Sequence, residues 1–334
     1  MAVIGPEKGS PLTSGRPAGH FNRFWRRPDR PRPLVIAHRG DSFHAPENTL
    51  EAAQRAWEVG ADAWELDVRL TRDRVPVVIH DASLLRTSNV AHQFAGDPRS
   101  NASFLVADFD LEEIRTLDAG SWFLEPASGP RSAADFGTLE QLSKGDRAWY
   151  VSGEVRVPTL ADALELTARL DWQVNIELKT STADEPRFLD AVLDLVTLTG
   201  TAARVAISSF DHTDVVRVVR RNPAIATGVL TATPLYRPHA YVREWVGADA
   251  YHPSAQVLGA GSDRYRRAPS AGVLRTEVLD ELHSAGVPIY VYTVNDSSEG
   301  GLADHLAEVG VAGIFTDDPT SHAARWGGQR KRRV

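Results

Sequence analysis

From Leu34 onward, short apolar runs alternate with stretches whose apolar residues recur at helical spacing. The runs are Leu34–Ala37, Ala63–Val68, Val174–Leu178, Val205–Ser209, Thr227–Leu230, Ala250–His252, Ile289–Val294 and Gly313–Thr316. Runs this short, rich in branched residues, read as buried strands. Between them, Thr49–Val59, Leu160–Leu170, Arg187–Leu198, Thr213–Arg221, Pro238–Val246, Thr276–Ser284 and Gly301–Val309 read as helices. Strands separated by helices predict a parallel sheet, and eight of them predict a closed (β/α)8 TIM barrel. An open doubly wound sheet fits less well, because no Gly-x-Gly-x-x-Gly turn follows the first strand and polar residues end several different strands.

One run breaks the alternation. Pro76–His80 follows the second strand after only Thr71-Arg72-Asp73-Arg74-Val75. A parallel crossover needs a dozen or more residues, so this connection predicts an antiparallel hairpin that returns His80 to the rim. The stretch of about 69–158 is then a small insertion between strand 2 and helix 2. It contains Trp149-Tyr150 and Trp122-Phe123, of which the latter would line a pocket or pack the insertion onto the barrel.

Composition sets outer limits. The formal charge of −7 argues against nucleic acid as a main partner. With no cysteine, disulfides, thiolate metal sites and cysteine nucleophiles are excluded. Residues 1–32 hold six arginines and five prolines without an apolar core and read as a disordered leader. The barrel is expected over 33–325 and a basic tail over 326–334. No apolar run reaches the ~20 residues that span a bilayer, so no stable membrane anchor and a cytoplasmic location are expected. Oligomeric state is not readable from the chain.

The chemistry gathers at strand ends. In Ala63-Trp64-Glu65-Leu66-Asp67-Val68, Glu65 and Asp67 lie two apart, so both face one side of the strand. If that side is the barrel interior, two carboxylates there need a metal or arginine partners. Glu177 ends the next barrel strand in another apolar run and favours a metal. An all-oxygen set selects one hard divalent cation, Mg²⁺ or Ca²⁺. His38 and His80 end two further runs and suit proton transfer near neutral pH. Arg39 and Lys179 supply a fork and a point charge for an anion; the plain alternative for Lys179 is a salt bridge to Glu177 or Glu65. Glu47, ahead of the first helix, could orient a catalytic group. His44, His92, His212, His239, His283, His305 and His322 sit in loops or helices, whereas His252 ends a strand and is an outlying candidate for the pocket.

Together, His38-Arg39-Gly40, Pro46-Glu47-Asn48-Thr49, Glu65-Leu66-Asp67-Val68, His80-Asp81, Asn175-Ile176-Glu177-Leu178-Lys179, Ser208-Ser209-Phe210, Tyr292-Thr293-Val294-Asn295 and Thr316-Asp317-Asp318-Pro319 resemble, in order, the glycerophosphodiester phosphodiesterase family. The resemblance implies a barrel with an insertion after strand 2 and metal-dependent hydrolysis of a small glycerophosphodiester to sn-glycerol 3-phosphate and an alcohol. It implies Glu65, Asp67 and Glu177 as cation ligands, His38 and His80 as acid and base, and Arg39 and Lys179 as the phosphate clamp. Phe210 and Tyr292 would make apolar contact on the glycerol side; Tyr292 stands where the family commonly has Trp. Rival readings of the same residues are a lysophospholipase D or phospholipase acting on lipid, a metal-dependent sugar isomerase or lyase, and a silent binding barrel.

Overall fold

The computed structural model describes residues 25, 32–124, 139–180, 187–260 and 274–326. The basic tail and nearly all of the leader lie outside them. Eight strands form the barrel wall: β1 (Leu34–Ala37), β2 (Ala63–Leu70), β4 (Val174–Leu178), β5 (Val205–Ser209), β6 (Ala226–Thr231), β7 (Ala250–Pro253), β8 (Tyr290–Val291) and β9 (Gly313–Thr316). They pair in parallel in the order β7-β6-β5-β4-β2-β1-β9-β8. The two edges, β7 and β8, meet through isolated parallel bridges, Tyr251 to Ile289 and Ser254 to Tyr292, which bring the sheet to near closure. The predicted hairpin is present as β3 (Pro76–Val78), antiparallel to β2, with Val68 opposite Val78 and Leu70 opposite Pro76.

Period-two alternation decides what faces where. On β2, Trp64, Leu66 and Val68 pack outward with Val174, Ile176 and Leu178 of β4 against the helices Leu50–Val59, Leu160–Arg169 and Arg187–Leu198. Trp64 and Trp172 stack at 6.2 Å. Their indole N–H groups donate to Thr167 Oγ1 and the Ala61 carbonyl, so these buried rings leave no polar atom bare. The alternate residues Ala63, Glu65 and Asp67 therefore turn inward. At the N-terminal end the interior is apolar, with Leu34, Ile36, Ala63, Ala206, Ala226, Ala250, Tyr290 and Phe315 in one cluster. Trp25, inside the segment read as leader, is buried in that cluster, edge-on to Tyr290 at 6.0 Å.

Between β2 and the helix Leu160–Arg169 the chain builds a satellite core from Val77, Ile79, Leu84, Val90, Phe104, Phe109 and Ile114 among others. Trp122, Phe123 and Tyr150 pack onto Ala45 and Ala52 of the barrel, so these aromatics fasten the insertion to it, and Tyr150 also borders a surface cleft with Trp149 and Glu51. No helix among the described residues is long and apolar enough to cross a membrane.

His252 lies within the barrel core and not at the pocket. Its ring packs against Tyr290 and Phe315, and a Cβ on Gly228 would come within 2.3–2.7 Å of it, which is why β6 carries glycine there. Burial alone pushes its pKa down to about 3. The unfolded chain therefore binds a proton below about pH 6.5 that the folded chain refuses. Stability supplied by neutral His252 is complete above that pH and falls on acidification, by about 1.4 kcal/mol per pH unit. Denaturant melts between pH 6 and pH 4 should show this slope reduced by that amount in His252→Gln. An identical slope in both proteins would contradict the assignment.

Candidate active site

The polar residues predicted from strand ends converge at the C-terminal mouth of the barrel. Glu65, Asp67 and Glu177 are buried, and one carboxylate oxygen from each lies within 4.8 Å of the other two. The register explains this, because Asp67 sits opposite Glu177 and Glu65 opposite Asn175 across the β2–β4 pair. Like charges at such spacing cannot all stay ionised without help. Burial and the neighbouring Asp67 push Glu65 up to about 8, with Glu177 adding to the effect. Glu177 is likewise raised, by burial and Asp67. Asp67 goes the other way: despite burial, Arg39 and Lys179 hold its carboxyl well below the usual range.

The predicted cations are therefore already engaged. Lys179 Nζ stands 3.2 Å from Asp67 Oδ1 and also pairs with Glu177, as its plain alternative anticipated. Arg39 Nε lies 3.3 Å from Asp67 Oδ2, while its Nη1 donates to Glu47 Oε1 at 2.9 Å. Local backbone makes that reach possible. Arg39 adopts a left-handed φ of 59°, and its N–H donates to Glu65 Oε2 at 2.9 Å. At Gly40, with φ of 85°, a Cβ would fall 2.6 Å from Ala52, so only glycine lets the His38–Gly40 turn lie against the first helix.

The two histidines are built alike. His38 Nδ1 donates to Asp317 Oδ1 at 2.6 Å, and His80 Nδ1 donates to Asp81 Oδ1 at 2.6 Å. In each ring the δ nitrogen is spent on a carboxylate, which leaves Nε2 for other chemistry. His38 Nε2 stands 4.0 Å from Glu65 Oε2. Burial and Arg39 oppose its charging, yet Asp317 and Glu65 together carry its pKa above the ordinary value. Phe210 and Tyr292 meet edge-on at 5.9 Å, and Lys179 Nζ lies 5.8 Å from the Phe210 ring centre. The Tyr292 hydroxyl donates to the Thr231 carbonyl at 2.7 Å, so the wall of this site is aromatic carbon.

Several site residues gave no chemical signal in the sequence. Asn48 reads there as part of a helix cap, but its Nδ2 donates to Asp67 Oδ2 at 2.8 Å and its Oδ1 accepts from the Asp67 N–H. Asp317 follows the last strand, 279 residues from the His38 it holds, and is itself held by Asn295 Nδ2 at 2.7 Å. Its place at a strand end, within the Thr316-Asp317-Asp318-Pro319 segment of the family resemblance, was the hint for it. Nothing local distinguished Arg86, which bonds both Glu47 and Asp81.

The carboxylate trio fits a hard cation. Its donors are all oxygen, and the buried Glu65 Oε1 has no hydrogen-bond partner within the protein. Since Glu65 must lose its proton to act as a ligand, cation binding and protonation compete. Calorimetric Mg²⁺ affinity should therefore climb from about pH 6 to about pH 8, where Glu65 ionises, and Glu65→Gln should abolish the climb. Affinity independent of pH over that range would contradict it.

Comparison with known proteins identifies the family. The glycerophosphoryl diester phosphodiesterase family profile matches residues 38–321. A glycerophosphodiester phosphodiesterase of Caldanaerobacter subterraneus subsp. tengcongensis is 32% identical over 286 residues, covering 86% of this chain and 94% of that protein. One from Bacillus altitudinis is also 32% identical, over 85% of this chain and 94% of its own length. Among solved structures, an Oleispira antarctica phosphodiesterase in complex with the product sn-glycerol-3-phosphate superposes with a TM-score of 0.67. It shares 23% identity over 89% of this chain and 97% of that one, a likeness of fold. A match running from the first site histidine to the last helix makes this chain a member of the glycerophosphoryl diester phosphodiesterase family, the phosphoric diester hydrolases.

Proposed function

We propose that this chain cleaves a small glycerophosphodiester into sn-glycerol 3-phosphate and an alcohol. The observation that carries the reading is the pair of carboxylate-bound imidazoles, His38 and His80, beside a buried acidic trio flanked by Arg39 and Lys179. The relatives' activity and the glycerol phosphate held by the Oleispira antarctica enzyme support it.

Glu65, Asp67 and Glu177 would hold one divalent cation, Mg²⁺ or Ca²⁺. When bound there, such an ion neutralises charge on a phosphate oxygen. Arg39 and Lys179 keep cationic groups at the same place for the remaining phosphate charge. One imidazole takes the proton of the attacking hydroxyl as the new P–O bond forms: water gives sn-glycerol 3-phosphate directly, whereas the substrate's own glycerol hydroxyl gives a cyclic phosphate that a water must then open to the same product. The other gives its proton to the departing alkoxide as the old P–O bond breaks. Asp317 and Asp81 fix each ring with Nε2 toward the site, and Asp317 favours the imidazolium form of His38. Phe210 and Tyr292 offer the carbon face of the glycerol an apolar wall.

His38→Ala and His80→Ala should each lower kcat by about 10²-fold or more while leaving Mn²⁺ affinity near wild type. Near-normal turnover in both variants would remove the histidines from the reaction.

A further inference from the structure

The two histidine pairs are anchored differently. His38 ends β1, and its partner Asp317 follows β9, the strand beside it; Asn295 and Ser42 brace that carboxylate at 2.7 and 3.3 Å. His80 lies on the hairpin outside the barrel wall, and its partner Asp81 is simply the next residue. The His80 backbone is tied to β2, its carbonyl accepting from Arg69 Nε at 2.8 Å and the Ile79 N–H donating to the Asp67 carbonyl at 2.9 Å, but a carboxylate on the next residue does not by itself fix the ring relative to the barrel.

Arg86 anchors the side-chain pair. Its Nε donates to Asp81 Oδ2 at 2.6 Å and its Nη2 to Asp81 Oδ1 at 3.0 Å. Its Nη1 and Nη2 also donate to Glu47 Oε2 and Oε1, both at 2.7 Å. Glu47 is buried in the loop between β1 and the first helix, and its Oε1 also accepts from Arg39. One planar guanidinium thus spans two carboxylates in a forked geometry that lysine does not reproduce.

We propose that Arg86 is a positioning residue: it straps the His80–Asp81 pair of the insertion to Glu47 and Arg39 of the barrel, so that His80 faces the reacting phosphate in a fixed orientation. Arg86 touches neither the acidic trio nor Lys179 in any hydrogen bond or ion pair among the described residues. Its loss should therefore fall on proton transfer, with phosphate binding kept by Arg39 and Lys179. The inference deepens the phosphodiesterase reading and rests on it.

Arg86→Ala and Arg86→Lys, each checked for wild-type melting, are compared with wild type in two ways. Glycerophosphocholine turnover should show kcat down by about 10- to 100-fold with KM within about threefold. Ring ¹⁵N spectra of histidine-labelled protein should show His80 leaving its single Nδ1–H tautomer for an averaged mixture, with His38 unmoved. The lysine variant keeps the charge and stands in if the alanine variant fails to fold. Wild-type kcat in either folded variant, or unmoved His80 signals, would overturn the proposal. The spectra need no turnover, so an inactive wild-type enzyme would overturn the phosphodiesterase reading and still leave the anchoring of His80 decided.

Discussion

Mutual repulsion among Glu65, Asp67 and Glu177 organises everything else at the mouth of this barrel. Three carboxyl groups with oxygens within 4.8 Å of each other, all buried, are a standing cost unless positive charge or a donor offsets each one. The chain meets that cost with Arg39 and Lys179 on Asp67, Lys179 on Glu177, the Arg39 N–H on Glu65 and Asn48 on Asp67. Even so, burial and Asp67 push the Glu65 carboxyl up to about 8. A site left short of positive charge in this way is prepared for a cation, and for the phosphate that such a cation draws in.

The scaffold's contribution is to make that arrangement rigid. Parallel register sets Asp67 opposite Glu177, and period-two alternation turns both inward while Leu66 and Leu178 hold the strands to the helices outside. The His38–Gly40 turn, pressed against Ala52, aims Arg39 back across the mouth. Each histidine is then oriented by a carboxylate from a different source, a neighbouring barrel strand for His38 and the insertion for His80. The insertion thus carries one of the two carboxylate-bound histidines and is fastened to the barrel through its aromatic cluster and Arg86.

Much of this was readable from the chain because the signals are local. Strand, helix and hairpin follow from periodicity and connection length, and Glu65, Asp67 and Glu177 stood out as carboxylates inside apolar runs. Apart from Lys179, foreseen as a partner of Glu177, the partners of the site residues were not readable, since they arise from closure of the barrel. Asp317 meets His38 only because the last strand returns beside the first, and Asn48 meets Asp67 only because a helix-capping loop folds over the second strand. His252 shows the converse: its strand-end position suggested the pocket, but inward pointing set it in the apolar core, where it is held neutral. Side-chain direction and depth along a strand, not residue type, separate these two histidine environments.

The central claim is that the acidic trio and its flanking groups serve cation-dependent phosphodiester cleavage. It is tested most directly by measuring sn-glycerol 3-phosphate released from glycerophosphocholine and related glycerophosphodiesters by purified protein, with EDTA and after restoring Mg²⁺ or Ca²⁺. The account predicts release that EDTA abolishes and one of these ions restores. Undiminished release in EDTA, or no release from any of these substrates by protein shown to bind the ion, would contradict it.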